Sequence, residues 1–142
     1  MSEMENNNDY SINLDVKYAP LELIDLPALV GSIKEDWFNQ TLCRVNNCVV
    51  RLGVFRPGEF HWHSHEREDE FFFVLEGSFT IETEKSSVTL RRGQGYTVPR
   101  GVRHRTRAEA GAEEVRSGEG SGNAGRTLIL MVEAASVSPT GD

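Results

Sequence analysis

The sequence predicts an all-β protein, an antiparallel sandwich or barrel, and two observations predict it. From Cys48 to Val132 the chain is a series of short β-branched and aromatic runs, broken again and again by glycine and proline turns. The whole chain has 142 residues, 38% of them hydrophobic and 26% charged, which suits one soluble domain with a proper core.

Residues 1–13 are polar, rich in Asn and Glu at the start, and read as a disordered tail ahead of a domain at 14–134. A first short strand is expected near Leu21–Ile24. Leu26–Phe38 follows, with Pro27 near its start and Ala28, Leu29, Ile33, Trp37 and Phe38 spaced for a short amphipathic helix or irregular segment on the sheet. Val49–Phe55 is a strand that ends at the Arg56-Pro57-Gly58 turn. Glu59–His65 is the next strand, His65–Asp69 a charged corner, and Glu70–Glu76 a strand dominated by Phe71, Phe72 and Phe73. Gly77 turns the chain into a hairpin with Ser78–Glu82. Val88–Leu90, Tyr96–Val98, His104–Ala108 and Thr127–Val132 complete the strands. Residues 109–126, EAGAEEVRSGEGSGNAGR, read as a flexible loop, and residues 135–142 as a second tail.

Charge and composition bound the function. A net charge of -7 argues against nucleic acid or an anionic membrane as partner. No apolar run approaches the roughly 20 residues of a membrane span, and no signal pattern opens the chain. Cys43 and Cys48 read as free thiols, and a cytoplasmic protein is expected.

All four histidines fall in two stretches. His61, His63 and His65 alternate, so in an extended strand they project to one face, and His104 lies in the second stretch. Imidazoles at i and i+2 can share a metal ion, with a carboxylate a few residues on to close the site. The arginines at 100, 103, 105 and 107 look at first like an anion site. With His104 inward, alternation turns Arg103, Arg105 and Arg107 outward, as a solvated or subunit-facing surface.

The two histidine stretches resemble the two sequence motifs of the cupin superfamily. The first reads Gly58, His63-x-His65, four residues, Glu70, six residues and Gly77; the second reads Gly93, five residues, Pro99-x-Gly101, two residues and His104. The spacer after Gly58 is one residue shorter than the family pattern, and Ala108 stands where the pattern has asparagine. The flanking Phe60, Trp62 and Glu68–Asp69–Glu70 resemble the small single-domain cupins called mannose-6-phosphate-isomerase-like.

The resemblance implies a cupin jelly-roll β-barrel and a metal site of His63, His65, Glu70 and His104. It implies one divalent transition metal per chain, from the set Fe, Mn, Ni, Co and Zn, with positions left open for a ligand. His61 is expected to line the cavity without binding the metal, as an acid-base or orienting group. Phe71, Phe73, Tyr96, Val98 and Thr106 are the expected substrate-lining residues. The expected function is a metalloenzyme acting on a small sugar-like or hydroxy-carbonyl molecule, as isomerase or epimerase, lyase or dioxygenase. The alternative is a non-catalytic module that binds a small ligand around a structural metal. A homodimer is the family expectation, with the apolar N-terminal segment contributing.

Overall fold

The computed structural model describes residues 10–109 and 125–136, and it is built of β-strands with one short helix. The strands are β1 (Tyr10–Asn13), β2 (Trp37–Val45), β3 (Cys48–Phe55), β4 (Gly58–Glu59), β5 (Glu70–Glu76), β6 (Ser78–Thr83), β7 (Ser87–Arg91), β8 (Gly95–Val98), β9 (His104–Glu109) and β10 (Thr127–Ala134). The helix, α1, spans Leu26–Ser32, with Pro27 in its first turn and the Asp25 side chain capping the Ala28 amide. Six strands form one sheet in the order β1-β2-β3-β10-β5-β8, and four form the other in the order β4-β9-β6-β7. Every pairing is antiparallel except β1 with β2, which is parallel. This is a jelly-roll barrel.

Two apolar clusters hold it. Inside, Phe55, Phe72, Val74, Ile129 and Met131 from the larger sheet meet Phe79, Ile81, Leu90 and Ala108 from the smaller one. Outside, α1 lays Val30, with Ile33 just beyond its end, over Leu42, Leu52, Val54 and Leu128 on the back of the larger sheet. Two glycines are set by close approach. A Cβ on Gly53 would lie 2.7 Å from the Phe55 ring; Gly77, at φ +86, would put one 2.5 Å from Thr127 Oγ1.

Several sequence expectations change here. Residues 10–13 are not tail: they form the parallel edge strand β1, and residues 1–9 lie outside the described residues. No strand forms at Leu21–Ile24, where Leu21 has φ 71 in a turn. Trp37 and Phe38 start the long strand β2 instead of ending a helix. That strand hid because its centre, Asn39-Gln40-Thr41, is polar yet buried. Gln40 Nε2 donates to the Asp15 carbonyl at 3.0 Å and pins the N-terminal segment on the barrel. The β2–β3 turn is Asn46-Asn47, with Asn46 at φ 55, a conformation asparagine tolerates.

The expected loop 109–126 has ordered ends. Glu109 ends β9, and the buried Arg126 donates to the Ile33 and Glu35 carbonyls at 3.1 and 3.0 Å; its interior lies outside the described residues. In the expected C-terminal tail, Ala135 N donates to the Asn47 carbonyl at 3.0 Å.

Candidate metal centre

The segment expected as a strand at Glu59–His65 is regular only at Gly58–Glu59, yet it stays extended along β9. His63 and His104 exchange both backbone hydrogen bonds, at 2.9 and 2.8 Å, as an isolated bridge. That bridge brings the two histidine stretches together: residues paired directly across antiparallel strands present their side chains on the same face. His65 lies two residues on from His63, and its carbonyl accepts from Gly101 N at 2.8 Å. Glu70 opens β5 opposite Val98, and its carboxylate turns inward.

The outcome is a cluster of His63, His65, Glu70 and His104 whose donor atoms all lie within 4.8 Å of one another. His65, Glu70 and His104 are at most 3% exposed. The imidazole tautomers follow from the backbone. His63 Nδ1 donates to the His61 carbonyl at 3.1 Å and His104 Nδ1 to the Val102 carbonyl at 2.9 Å, since a carbonyl only accepts. Each ring therefore keeps its Nε2 lone pair for the cluster. His104 Nε2 stands 3.6 Å from Glu70 Oε1, and His65 Nε2 stands 3.2 Å from the same oxygen. Both His104 Nε2 and Glu70 Oε1 are buried without a hydrogen-bond partner. Lone pairs brought together this way repel unless a proton or cation lies among them. A first-row ion sits roughly 2.0–2.2 Å from nitrogen and oxygen donors, which places donors about 3–4 Å apart. The cluster fits a divalent transition metal.

Electrostatics agree with a carboxylate in its charged form. Burial pushes the Glu70 carboxyl up, but the close approach of His104, His65 and Glu133 outweighs it and holds it well below the usual carboxylate range. Glu133 goes the other way: burial, then the neighbouring Glu70 carboxylate, push it up against the pull of Arg51.

His63 is the acid-sensitive member. Burial lowers its imidazole from 6.5 to about 4; the His61 carbonyl opposes the shift and the neighbouring His104 ring adds to it. Between those two values the unfolded chain takes up this proton more readily than the folded one. The stability this group contributes is present above pH 6.5 and lost as the pH falls to about 4. In urea unfolding of the metal-free protein, the midpoint should decline across that window, and less steeply in His63→Gln. Equal slopes in the two proteins would contradict this account.

Beside the cluster lies a cavity of about 20 Å³, room for roughly one water-sized group. Its wall is Phe55, Phe60, Phe72, Phe79, Ile129 and Met131, with Asn39 and Thr106 as polar points and His63 and Glu70 at the cluster end. Thr106 is thus on the wall. Val98 and Tyr96 pair with Glu70 and Phe72 on the inner face of β8 and pack in the core away from this cavity. Phe71 and Phe73 are a correction. They are half-buried on the outer face, stacked on each other at 6.4 Å, with the Phe71 ring over Gly95. With Glu70 inward, alternation along β5 puts Phe72 and Val74 inside, as the burial pattern shows.

His61 stays out of the ligand cluster, its ring centroid 5.5 Å from that of His63. Glu68 and Asp69 are engaged elsewhere, accepting from Ser136 Oγ and from Arg100 N, each at 3.0 Å. Arg105 and Arg107 face outward and pair with Glu82, which they share; Arg105 also reaches Glu59 and Arg107 reaches Glu109. The Arg103 and Arg105 guanidinium groups both approach the Trp62 ring, at 5.3 and 5.1 Å from its centroid. Cys43 and Cys48 are free. Sequence reasoning missed Asn39, Arg51 and Glu133. The last two had a readable signal, a single charge inside an otherwise apolar strand (CVVRLGVF and TLILMVEA).

A jelly-roll barrel with three inward histidines and one glutamate defines a class of protein, and comparison with known proteins gives the same class. Residues 51–116 match the Cupin domain family. The chain is 39% identical to the uncharacterized protein YdbB of Bacillus subtilis over 85 residues, 59% of this chain and 74% of the relative. It is 38% identical over 66 residues to the polyketide synthase CurC of Streptomyces cyaneus, 46% of this chain and 42% of that protein. A cupin-2 domain protein from Shewanella frigidimarina superposes with a TM-score of 0.64 at 25% identity, covering 79% of this chain and 94% of the other. The chain belongs to the cupin superfamily. Among the described residues no helix is long and apolar enough to cross a membrane.

Proposed function

We propose that the protein is a metal-dependent cupin enzyme acting on a small hydroxy-carbonyl molecule, with a divalent ion of the Fe, Mn, Ni, Co or Zn group held by His63, His65, Glu70 and His104. The observation that carries this is the convergence of four buried donors at one end of a cavity, with His104 Nε2 and Glu70 Oε1 satisfied by no protein group. When bound, the ion supplies Lewis-acid polarisation of a substrate oxygen. The chain supplies the rest. Phe55, Phe60, Phe72 and Phe79 wall the small space beside the cluster and exclude bulk water from the reacting group. The Asn39 amide and Thr106 hydroxyl are placed to orient an oxygen of that group. His61, beside His63 and outside the cluster, is the group to hold or move a proton at the rim.

Two likenesses support a hydroxy-carbonyl substrate. The flanking residues resemble mannose-6-phosphate-isomerase-like cupins, and one relative is named a polyketide synthase. Sugar isomerisation and polyketide chemistry both pass through adjacent carbonyl and hydroxyl or enol oxygens, which are natural chelators. A homodimer is part of this proposal: Ile12, Leu14, Val16, Leu21 and Leu23 leave apolar side chains exposed along the N-terminal segment, which favours a partner there.

The test is elemental analysis of the untagged protein, followed by titration of the cobalt-loaded protein with maltol, a small hydroxy-carbonyl chelator. About one equivalent of a transition metal and a saturable change in the visible spectrum are expected. His61→Ala should keep both. No metal after reconstitution, or no response to maltol, would count against the proposal.

A further inference from the structure

The geometry points to Arg51 and Glu133 as positioning residues for the metal ligand Glu70, a buried three-residue relay that sets the direction of its carboxylate; this rests on the metal-binding role proposed above. Glu133 stands directly opposite Glu70 across the β10–β5 pair, so the two buried carboxyl groups are neighbours on the inner face. Arg51, on β3 at the other side of β10, donates through Nη1 to Glu133 Oε2. The same guanidinium donates through Nε to Thr41 Oγ1 at 3.1 Å, so strand β2 fixes its plane. Arg51, Glu133 and Glu70 are each 3% exposed and lie on the inner face of the barrel. Four strands of the larger sheet thus converge on one carboxylate oxygen pair.

Such a pair has no obvious value as a stabilising element. Desolvating an arginine and a glutamate inside a barrel costs about as much as their attraction returns, and apolar residues of similar volume fill such a space as well or better. Three polar residues aligned behind a ligand, and held from the opposite side by a hydroxyl, do something apolar residues cannot. They limit the orientations open to Glu70, with Glu133 beside it on one side and the histidines on the other. Partners of this sort behind a metal ligand typically change metal affinity by about 10–100-fold.

The test uses the full chain, stripped of metal and titrated with Co(II). The variants are the double substitution Arg51→Met with Glu133→Leu, and the conservative Glu133→Gln, which keeps an N–H toward Glu70 and an acceptor toward Arg51. Three quantities are read: Co(II) affinity by calorimetry, the visible absorption band of bound Co(II), and the melting temperature of the metal-free protein. The double variant should bind Co(II) about 10–100-fold more weakly and shift the band, while melting within a few degrees of the parent. Glu133→Gln should restore parental affinity and spectrum. If the double variant does not fold, Arg51→Lys, which loses the planar fork, should still shift the band. Parental affinity and spectrum in the folded double variant, or in Arg51→Lys, would overturn the relay while leaving the metal site standing. A parent that takes up no Co(II) would remove both.

Discussion

Replacing Glu70 with alanine is expected to empty the site, lowering bound metal from about one equivalent to less than a tenth, while the barrel stays folded. Glu70 is the anionic member of the cluster, and its oxygen lies 3.2 and 3.6 Å from two of the imidazoles. A divalent ion held by three neutral rings and no carboxylate loses a bond and its nearest counter-charge, several kcal/mol in a buried site. Removal also takes away the polar cross-strand neighbour of the buried Glu133, so some loss of folding stability should accompany it, on the order of 1–3 kcal/mol. His104→Ala should be nearly as severe for metal. Its ring is 1% exposed and its tautomer is set by the Val102 carbonyl, so nothing nearby can replace its Nε2. Elemental analysis and circular dichroism of the purified variants separate the two effects. A folded Glu70→Ala protein with a full equivalent of metal would refute the ligand assignment.

The second large effect is on the fold. Phe55→Ala should destabilise the protein by about 3–5 kcal/mol, read as a lower urea midpoint with unchanged slope. Phe55 is 2% exposed and joins the sheets: it stacks on Phe79 of β6 at 5.9 Å and meets Trp37 at 5.7 Å and Phe60, edge-on, at 5.4 Å. Gly53 lies directly against its ring, where an added Cβ would be 2.7 Å away. The same substitution also enlarges the cavity beside His63. Phe71→Ala removes a ring of the same size from the outer face and should cost only roughly 1 kcal/mol. Equal costs for the two would mean that the inward and outward faces of β3 and β5 are wrongly assigned.

Much of the site was legible before any fold was known, and its limits are instructive. The spacing from Glu70 to Gly77 picked one carboxylate out of Glu68, Asp69 and Glu70, and the other two do turn away to Ser136 and Arg100. The alternation of His61, His63 and His65 survived even though the segment is barely a regular strand, because extended backbone keeps the period of two without a full ladder. The outward turn of Arg105 and Arg107 followed from the same rule. Phe71 and Phe73 did not need to be missed: applying that rule from Glu70 selects Phe72.

By itself the sequence determined the strand-rich character of the chain, the two histidine stretches and the residues able to hold a metal. These are written in local spacing, and side-chain direction within an extended run is a local property. Only the tertiary structure decided what depends on which strands become neighbours. The His63–His104 bridge, the polar strand β2, the parallel edge strand β1 and the Arg51–Glu133–Glu70 relay all join residues far apart in the chain. Polar side chains such as Asn39, Arg51 and Glu133 read as surface until a distant strand supplies the partner that lets them be buried, because burial of a polar group is tolerable only once that partner is in place.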